Sequence, residues 1–272
     1  MEINMARRRA ITGYSSNGLP YASFGNGPHN LVVFEGLDFR HKPPSAIMLR
    51  MTHGYLRRLA NYYRIYIVNR KPDLPQGYSL RDMSDDYAVM IKNEMGGVAD
   101  IIGVSTGGGI AQYFAIDHPD LVGRLVLVMT GFRLTEESRV LQRQVADLAR
   151  KGKRRAAYAL LSTAILRKGI ARHFFKWFMW LMGSLMIPAD PSDGIVEIEA
   201  DDRYDLSDQL DRIKAKTLVL GGEEDFFYAI RETAEKITNS RLVLYPDVGH
   251  NAMFVRSRQF GEEIKAFLLS NK

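Results

Sequence analysis

The apolar residues of the chain alternate between short β-branched runs and longer amphipathic stretches. Six short runs predict buried strands, at residues 30–34, 63–69, 98–104, 125–129, 217–220 and 242–245. Apolar residues at helical spacing predict helices near residues 44–59, 79–95, 109–118 and 254–269. Strands that alternate with helices pair in parallel, and the resulting sheet is covered on both faces. The chain is therefore predicted to be an α/β protein with a mostly parallel central sheet.

One segment, residues 132–204, interrupts this alternation. It contains no good strand, several helical patterns and a cluster of aromatic residues, namely Phe174, Phe175, Trp177, Phe178 and Trp180. We expect a helical insertion, or cap, between two strands. The predicted organisation is an α/β core formed by residues 1–131 and 205–272, with a cap formed by residues 132–204.

Charge is distributed unevenly along the 272 residues, whose net charge is +6. Residues 133–182 carry twelve Lys or Arg against three Asp or Glu, whereas residues 188–212 carry nine acidic residues against two basic ones. No recognisable nucleic-acid-binding module accompanies the basic block, so no nucleic-acid partner is expected. The simpler interpretation is a pair of amphipathic helices with solvated basic faces that lie against the acidic stretch.

The N-terminal segment and the most apolar stretch of the chain both favour a cytoplasmic location. Arg7, Arg8 and Arg9 near the start are not followed by an apolar segment, as a secretory signal would require. The most apolar stretch, residues 174–187, is too short to span a bilayer and contains Lys176, so no stable membrane insertion is expected. The chain has no cysteine, which excludes disulfides and thiolate chemistry. Its oligomeric state stays open, a homodimer included.

The sequence Gly103-Val104-Ser105-Thr106-Gly107 lies between a predicted strand and a predicted helix. The pattern G-x-S-x-G is a weak signal alone, but in a strand–turn–helix context it predicts a nucleophile elbow. The sharp turn holds the serine in a strained conformation above the sheet, and only glycine tolerates the crowding two positions to either side. Ser105 is therefore the candidate nucleophile, with Gly103 and Gly107 shaping its turn.

A serine hydroxyl becomes nucleophilic only when a base takes its proton, and a carboxylate must hold that base in the right tautomer. Asp225 and His250 each follow a predicted strand through a glycine-containing loop. Other residues stay open as alternatives, namely His29, His41, His53, His118 and His173 for the base and Glu223, Glu224 and Asp247 for the acid.

Several short patterns together resemble the α/β-hydrolase family, in a serine esterase- or lipase-like form with a helical cap. They are the elbow, the Gly-x-x-Asp of Gly222 to Asp225, the pair Gly249-His250, and residues 117–122 before a Leu-Val-Leu-Val strand. The resemblance extends from about Gly13 to the C-terminus. It implies the chain order Ser, Asp, His, with Asp225 as the acid and His250 as the base.

A tetrahedral oxyanion needs two preorganised donors, usually backbone N–H groups. Thr106 N–H, at the start of the elbow helix, is one candidate. The resemblance implies a second donor after the first parallel strand, where relatives usually carry His-Gly; this chain has Glu35-Gly36-Leu37, which makes Leu37 N–H the candidate. A carboxylate at Glu35 disfavours the oxyanion unless it is paired, protonated or turned away. Arg40 and His41 are near enough in sequence to pair with it, and Glu35 either replaces a structural group or tunes the leaving-group side.

These features predict a serine hydrolase that cleaves carboxylic esters of short to medium acyl chains, with a small apolar ester as its substrate. Phe174, Trp177 and Phe178 either line the acyl pocket or form the packing face of the cap. Serine at position 105 argues against dehalogenases and epoxide hydrolases, which use aspartate there. No metal-ligand spacing is present, and no cofactor is expected. The alternatives are a carbon–carbon bond hydrolase for a ring-cleavage product, a lactonase, a perhydrolase and a non-enzymatic ligand receptor.

Overall fold

The computed structural model describes residues 10–45, 49, 54–167 and 169–270 of the chain. Within them, one eight-stranded sheet runs in the order β1-β2-β4-β3-β5-β6-β7-β8. The strands are β1 (Ile11–Tyr14), β2 (Pro20–Phe24), β3 (His29–Phe34), β4 (Tyr63–Val68), β5 (Ala99–Val104), β6 (Val122–Val128), β7 (Lys216–Gly222) and β8 (Ser240–Tyr245). The strands from β4 to β8 in this order pair in parallel, while β2 pairs antiparallel with β1 and with β4. The predicted mostly parallel sheet is confirmed.

Helices cover both faces of this sheet. Those that the structure describes from end to end are α1 (Leu80–Glu94), α2 (Thr106–Asp117), α3 (Glu136–Arg150), α4 (Arg154–Ile165), α5 (Ala171–Met186), α6 (Ser192–Arg203), α7 (Ile230–Lys236), α8 (Ala252–Val255) and α9 (Ser257–Leu269). Of the helix predicted near residues 44–59, Leu49 and residues 54–56 are helical and Arg57–Leu59 is a 3₁₀ turn; Ile47 lies outside the described residues. The predicted last helix is divided into α8 and α9.

Buried apolar strands form the centre of the sheet. In β5, the first five residues are buried, and the strand pairs Gly103 with Phe34 of β3 and with Leu127 of β6. One hydrophobic core lies on each face of the sheet. Because β3, β5, β7 and β8 run in the same direction, their carboxyl ends lie at the same edge of the sheet. In open parallel sheets this edge is where the functional site lies.

A capping box starts α1 at the position that the sequence predicted. The Ser79 hydroxyl accepts a hydrogen bond from the Asp82 N–H at 3.1 Å, and the Asp82 carboxylate accepts one from the Ser79 N–H at 2.9 Å. These bonds satisfy N–H groups that the first turn of a helix leaves without a partner.

The chain between β6 and β7 contains α3 to α6, which lie within the predicted insertion. Part of its basic surface faces the acidic stretch, because Arg143 pairs with Asp202 at 2.9 Å and Arg150 pairs with Glu199. These pairs join α3 to α6. In the portion of the chain that the structure describes, no helix is both long and apolar enough to cross a membrane.

Candidate active site

Ser105 occupies a sharp turn between β5 and α2. Its backbone angles are φ 52° and ψ −125°, in a region that side-chain-bearing residues rarely adopt. A Cβ atom at Gly103 would lie 2.6 Å from the Ala111 Cβ, and one at Gly107 would overlap the carbonyl oxygens of Phe34 and Glu35. The crowding that the sequence predicted on both sides of the serine is present in the structure.

The structure brings together the three residues that the sequence singled out. Ser105 Oγ lies 3.0 Å from His250 Nε2, and His250 Nδ1 lies 2.8 Å from Asp225 Oδ2. The other carboxylate oxygen of Asp225 accepts hydrogen bonds from the backbone N–H groups of Phe227 (2.9 Å) and Tyr228 (3.2 Å). Because the Asp225 side chain is only 2 % exposed, these bonds fix its orientation towards the imidazole.

The described alternatives lie elsewhere. His41 is buried against Glu197, His118 pairs with Asp85, and His173 is exposed beside Arg172. His29 contacts the ring of Tyr63, and His53 lies outside the described residues. Among the acids, Glu224 and Asp247 are exposed, and Glu223 lies 3.7 Å from Arg231.

Leu37 and Thr106, whose backbone N–H groups are the candidate oxyanion donors, line the same cavity as Ser105. Thr106 is the first residue of α2, so its N–H has no acceptor within the helix. Within the described residues, the Leu37 N–H donates no hydrogen bond. Gly36 lies against the serine, since a Cβ there would be 3.3 Å from the Ser105 Cβ. Among the described residues, neither N–H group therefore has a hydrogen-bond acceptor.

Arg70 donates hydrogen bonds to the backbone of the loop that carries Leu37. The sequence analysis did not identify this residue. Arg70 is 1 % exposed and donates to the carbonyl oxygens of Glu35 (2.6 Å) and Gly36 (2.7 Å). It also donates to the buried carboxylate of Glu197 at 2.7 Å. Glu197 lies 3.1 Å from His41 Nε2, so a single buried cluster joins the loop after β3 to α6.

Glu35 itself lines the cavity and is 9 % exposed. Neither Arg40 nor His41 pairs with it, and no hydrogen bond or ion pair of its carboxyl group occurs within the described residues. Burial raises the pKa of Glu35 to about 7, even though the nearby Arg70 acts to lower it. Protonation is one of the conditions under which a carboxyl group tolerates a nearby oxyanion, and a pKa of about 7 means that Glu35 meets this condition at pH values below about 7.

Replacing Glu35 with glutamine is expected to stabilise the protein above pH 7 relative to the wild type. In the unfolded chain this carboxyl titrates near 4.5 and in the folded protein near 7, so its contribution is fully present below about pH 4.5 and lost as the pH rises to about 7. The lost contribution is on the order of 3 kcal/mol. Urea unfolding of both proteins at pH 5 and pH 8 measures it. The buried amide of the variant changes the free energy of unfolding by the same amount at both pH values. If the stability of the variant relative to the wild type does not increase from pH 5 to pH 8, the raised pKa of Glu35 is contradicted.

A second buried carboxyl group connects the elbow to α6. Asp201 accepts hydrogen bonds from the Thr106 hydroxyl (3.2 Å), the Gln142 amide (3.0 Å) and the Tyr228 hydroxyl (3.1 Å). Burial raises the pKa of Asp201 to about 7. Tyr228 also donates its backbone N–H to Asp225, so these bonds join the acid, the residue after the serine and the helical insertion.

A cavity of about 440 Å³ opens over Ser105 and His250, with a volume within the range of small-molecule pockets. Its apolar walls come from both the sheet loops and the inserted helices and include Leu37, Phe39, Leu161, Ile165, Met186, Phe227, Met253 and Phe254. Charged groups also line it, namely Glu35, Asp38, Arg40 and Lys42. No group of three or more metal-binding side chains is found among the described residues.

The aromatic residues that were candidates for the acyl pocket do not line this cavity. Phe174, Trp177 and Phe178 are 68 %, 55 % and 44 % exposed, on the side of α5 that faces solvent. They do not form the packing face of the insertion either. The physical reason is the orientation of α5, which contacts α4 through Gly183, where a Cβ atom would lie 2.5 Å from the Arg155 Cα. The cavity wall is formed instead by Leu161 and Ile165 of α4 and by Met186 at the end of α5.

Comparison with known proteins gives a consistent family assignment. The sequence profile of the alpha/beta hydrolase fold matches residues 68–257. BpoC of Mycobacterium tuberculosis, which carries the name of a non-heme bromoperoxidase, is 25 % identical over 209 residues, which cover 72 % of this chain and 78 % of BpoC.

Two solved structures resemble the whole fold. The enol-lactonase from Burkholderia xenovorans LB400 superimposes with a TM-score of 0.74 at 21 % identity, covering 95 % of this chain and 99 % of that one. The esterase EaEST from Exiguobacterium antarcticum gives 0.75 at 20 % identity, covering 96 % and 100 %. At such identities the likeness shows the fold alone.

Proposed function

Because this chain belongs to the α/β-hydrolase family, we propose that it is a serine hydrolase that cleaves carboxylic esters of short to medium acyl chains. The observation that carries the proposal is the chain of short contacts from Ser105 Oγ to His250 Nε2 (3.0 Å) and from His250 Nδ1 to Asp225 Oδ2 (2.8 Å). A serine, a histidine and a buried carboxylate in this order form the arrangement that activates a hydroxyl for acyl transfer.

The proposed reaction follows from this geometry. His250 takes the proton of Ser105 as the hydroxyl oxygen attacks the ester carbonyl, and Asp225 stabilises the imidazolium that forms. The N–H groups of Leu37 and Thr106 receive the oxyanion. His250 then gives its proton to the departing alcohol and leaves an acyl-enzyme. Water, activated by the same histidine, releases the acid and restores the serine.

The cavity supports the substrate class. Its walls are mainly apolar, and its volume of about 440 Å³ suits an acyl chain of limited length better than a polymer. A protonated Glu35 beside the loop of Leu37 leaves the negative charge of the oxyanion unopposed.

One observation favours a second candidate. Arg40 and Lys42 line the cavity, and cationic groups suit a carboxylate, such as that of a ring-cleavage substrate or that of the hydroxy acid formed when a lactone is opened. A carbon–carbon bond hydrolase or a lactonase would use the same three residues.

Rates of hydrolysis of p-nitrophenyl esters, with acyl chains from acetate to decanoate, distinguish these candidates. We expect turnover with an optimum among the short and medium chains, and a fluorophosphonate probe should add one label per chain, located on Ser105 by peptide mass spectrometry. A label on Ser105 without turnover of any ester would shift support to the carbon–carbon and lactone substrates. Absence of both turnover and label would contradict the proposal.

A further inference from the structure

The solvent-facing side of α5 exposes more large apolar surface than any other described segment. Seven of the fifteen exposed large hydrophobic side chains of the described residues lie within residues 170–185. Ile170 is 92 % exposed, Phe174 is 68 % exposed and Leu185 is 62 % exposed. Contiguous apolar patches of this kind mark a surface that binds a partner or a membrane.

These side chains follow helical spacing. Phe174, Trp177, Phe178, Leu181 and Leu185 recur at intervals of three or four residues and form a single stripe. A helix of a globular protein normally turns such a stripe towards the core, but α5 turns it outwards and buries only Gly183 on its other side. The stripe is therefore a binding face that this chain leaves uncovered.

A cationic cleft lies beside the stripe. It has a volume of about 500 Å³ and is open to solvent, with Lys153, Arg154 and Arg155 on one wall and Trp180 and Ser184 of α5 on the other. Arg155 lies 4.9 Å from the centre of the Trp180 ring, which links the charged wall to the aromatic helix. The first turn of α4, where these basic residues lie, carries no acidic residue.

The charge around α5 decides what can cover it. From Leu148 to Ala189 the chain contains nine Lys or Arg and no Asp or Glu. Within the described residues, Lys151, Lys153 and Arg155 take part in no ion pair, unlike Arg143 and Arg150 on α3. A second copy that docked by this face about a two-fold axis would bring two basic clusters together. An anionic lipid surface instead offers acyl chains to the stripe and phosphates to the cleft.

We propose that the exposed face of α5 and the cationic cleft beside it dock the protein onto an anionic phospholipid bilayer. The helix lies in the interface with its stripe among the upper acyl chains, without spanning the membrane. Met186, at the end of the same helix, lines the cavity over Ser105, so the helix that docks on the lipid also contributes a wall of that cavity.

The two tryptophans of the chain, Trp177 and Trp180, both lie on α5, so tryptophan fluorescence reports this helix alone. Vesicles of equal parts phosphatidylcholine and phosphatidylglycerol should shift the tryptophan emission of the intact protein to shorter wavelength and carry the protein upwards in a flotation gradient. Vesicles of phosphatidylcholine alone should bind at least tenfold more weakly. About 1 M NaCl should weaken the binding, because it shortens the Debye length to about 3 Å.

Matched variants test each half of the surface. Phe174→Gln with Phe178→Gln shortens the stripe, and Lys153→Gln with Arg155→Gln neutralises the cleft; each pair should reduce partitioning about tenfold or more. Ile11→Gln with Val140→Gln is the control, because it also removes two exposed apolar side chains, away from α5, and should not change partitioning. All three variants should keep wild-type turnover of a soluble ester, which shows that they are folded.

Three results would overturn the proposal. One is an unchanged emission spectrum with every vesicle. Another is equal binding to neutral and anionic vesicles. The third is a blue shift that appears without lipid as the protein concentration rises, together with dimers in sedimentation, since this would assign the face to a second copy of the chain.

Discussion

Replacing Ser105 with alanine is expected to lower kcat/KM for ester hydrolysis by about a thousandfold or more and to leave the fold intact. The Ser105 hydroxyl is hydrogen-bonded to His250, and the loss of such a bond costs only about 1 kcal/mol of stability. The chemical loss is large because the covalent route through the acyl-enzyme disappears, while the two N–H donors and the cavity remain. The measurement is kcat/KM on the optimal p-nitrophenyl ester, with circular dichroism to confirm folding.

Two further variants show whether the three residues act together. His250→Ala alone should cost about as much as Ser105→Ala, and the double variant should be no worse than either single one, because residues that act as a unit are strongly non-additive. Ser257→Ala, at an exposed serine, is the control and should keep full activity. Losses that multiply in the double variant would mean that Ser105 and His250 act independently, which contradicts the proposed mechanism.

The strands of the parallel part of the sheet were predictable because each is a short, strongly apolar run. The six predicted strands overlap β3 to β8. The two antiparallel strands were missed, since β1 is exposed along most of its length and β2 contains Pro20, Ala22 and Ser23, which give no β-branched signal. Helix α7, of seven residues, was also missed, being too short for a periodic pattern to be recognised.

The positions of Ser105, Asp225 and His250 were predictable because each follows a strand in a glycine-marked loop. The cluster of Arg70, Glu197 and His41 was not. Glu197 lies 127 residues from Arg70 and 156 from His41 in the chain, so only the folded structure brings them together. The one available signal was that a charged residue, Arg70, directly follows the strand predicted at residues 63–69. Many charged residues without a functional role also follow buried strands.

The aromatic helix shows a further limit of periodicity. Spacing of three and four residues predicts that Phe174, Trp177 and Phe178 share one side of a helix. It does not predict which side faces the protein. That choice is made by Gly183, which lets α5 approach the backbone of Arg155 on the side opposite to the stripe.

Arg70→Met is expected to lower the free energy of unfolding by about 3–5 kcal/mol, because it leaves the carboxylate of Glu197 buried without its cation. It should also lower kcat, since the carbonyl oxygens of Glu35 and Gly36 lose the donors that hold the Leu37 loop in place. Arg70→Lys should recover part of the stability but little of the kcat, because an ammonium group lacks the planar fork that reaches both carbonyls and the carboxylate. Urea unfolding and ester kinetics measure the two effects separately.

The double variant Arg70→Met with Glu197→Met distinguishes the electrostatic role of Arg70 from its positioning role. Removing both charges restores much of the stability, because a buried ion pair can be replaced by apolar residues at little net cost, and His41 then loses only one hydrogen bond. The kcat should stay low, since neither methionine can donate to the loop carbonyls. Recovery of both stability and kcat would mean that the loop holds its geometry without Arg70. A loss of stability below about 1 kcal/mol in the single variant would mean that the Glu197 carboxylate is satisfied by other groups.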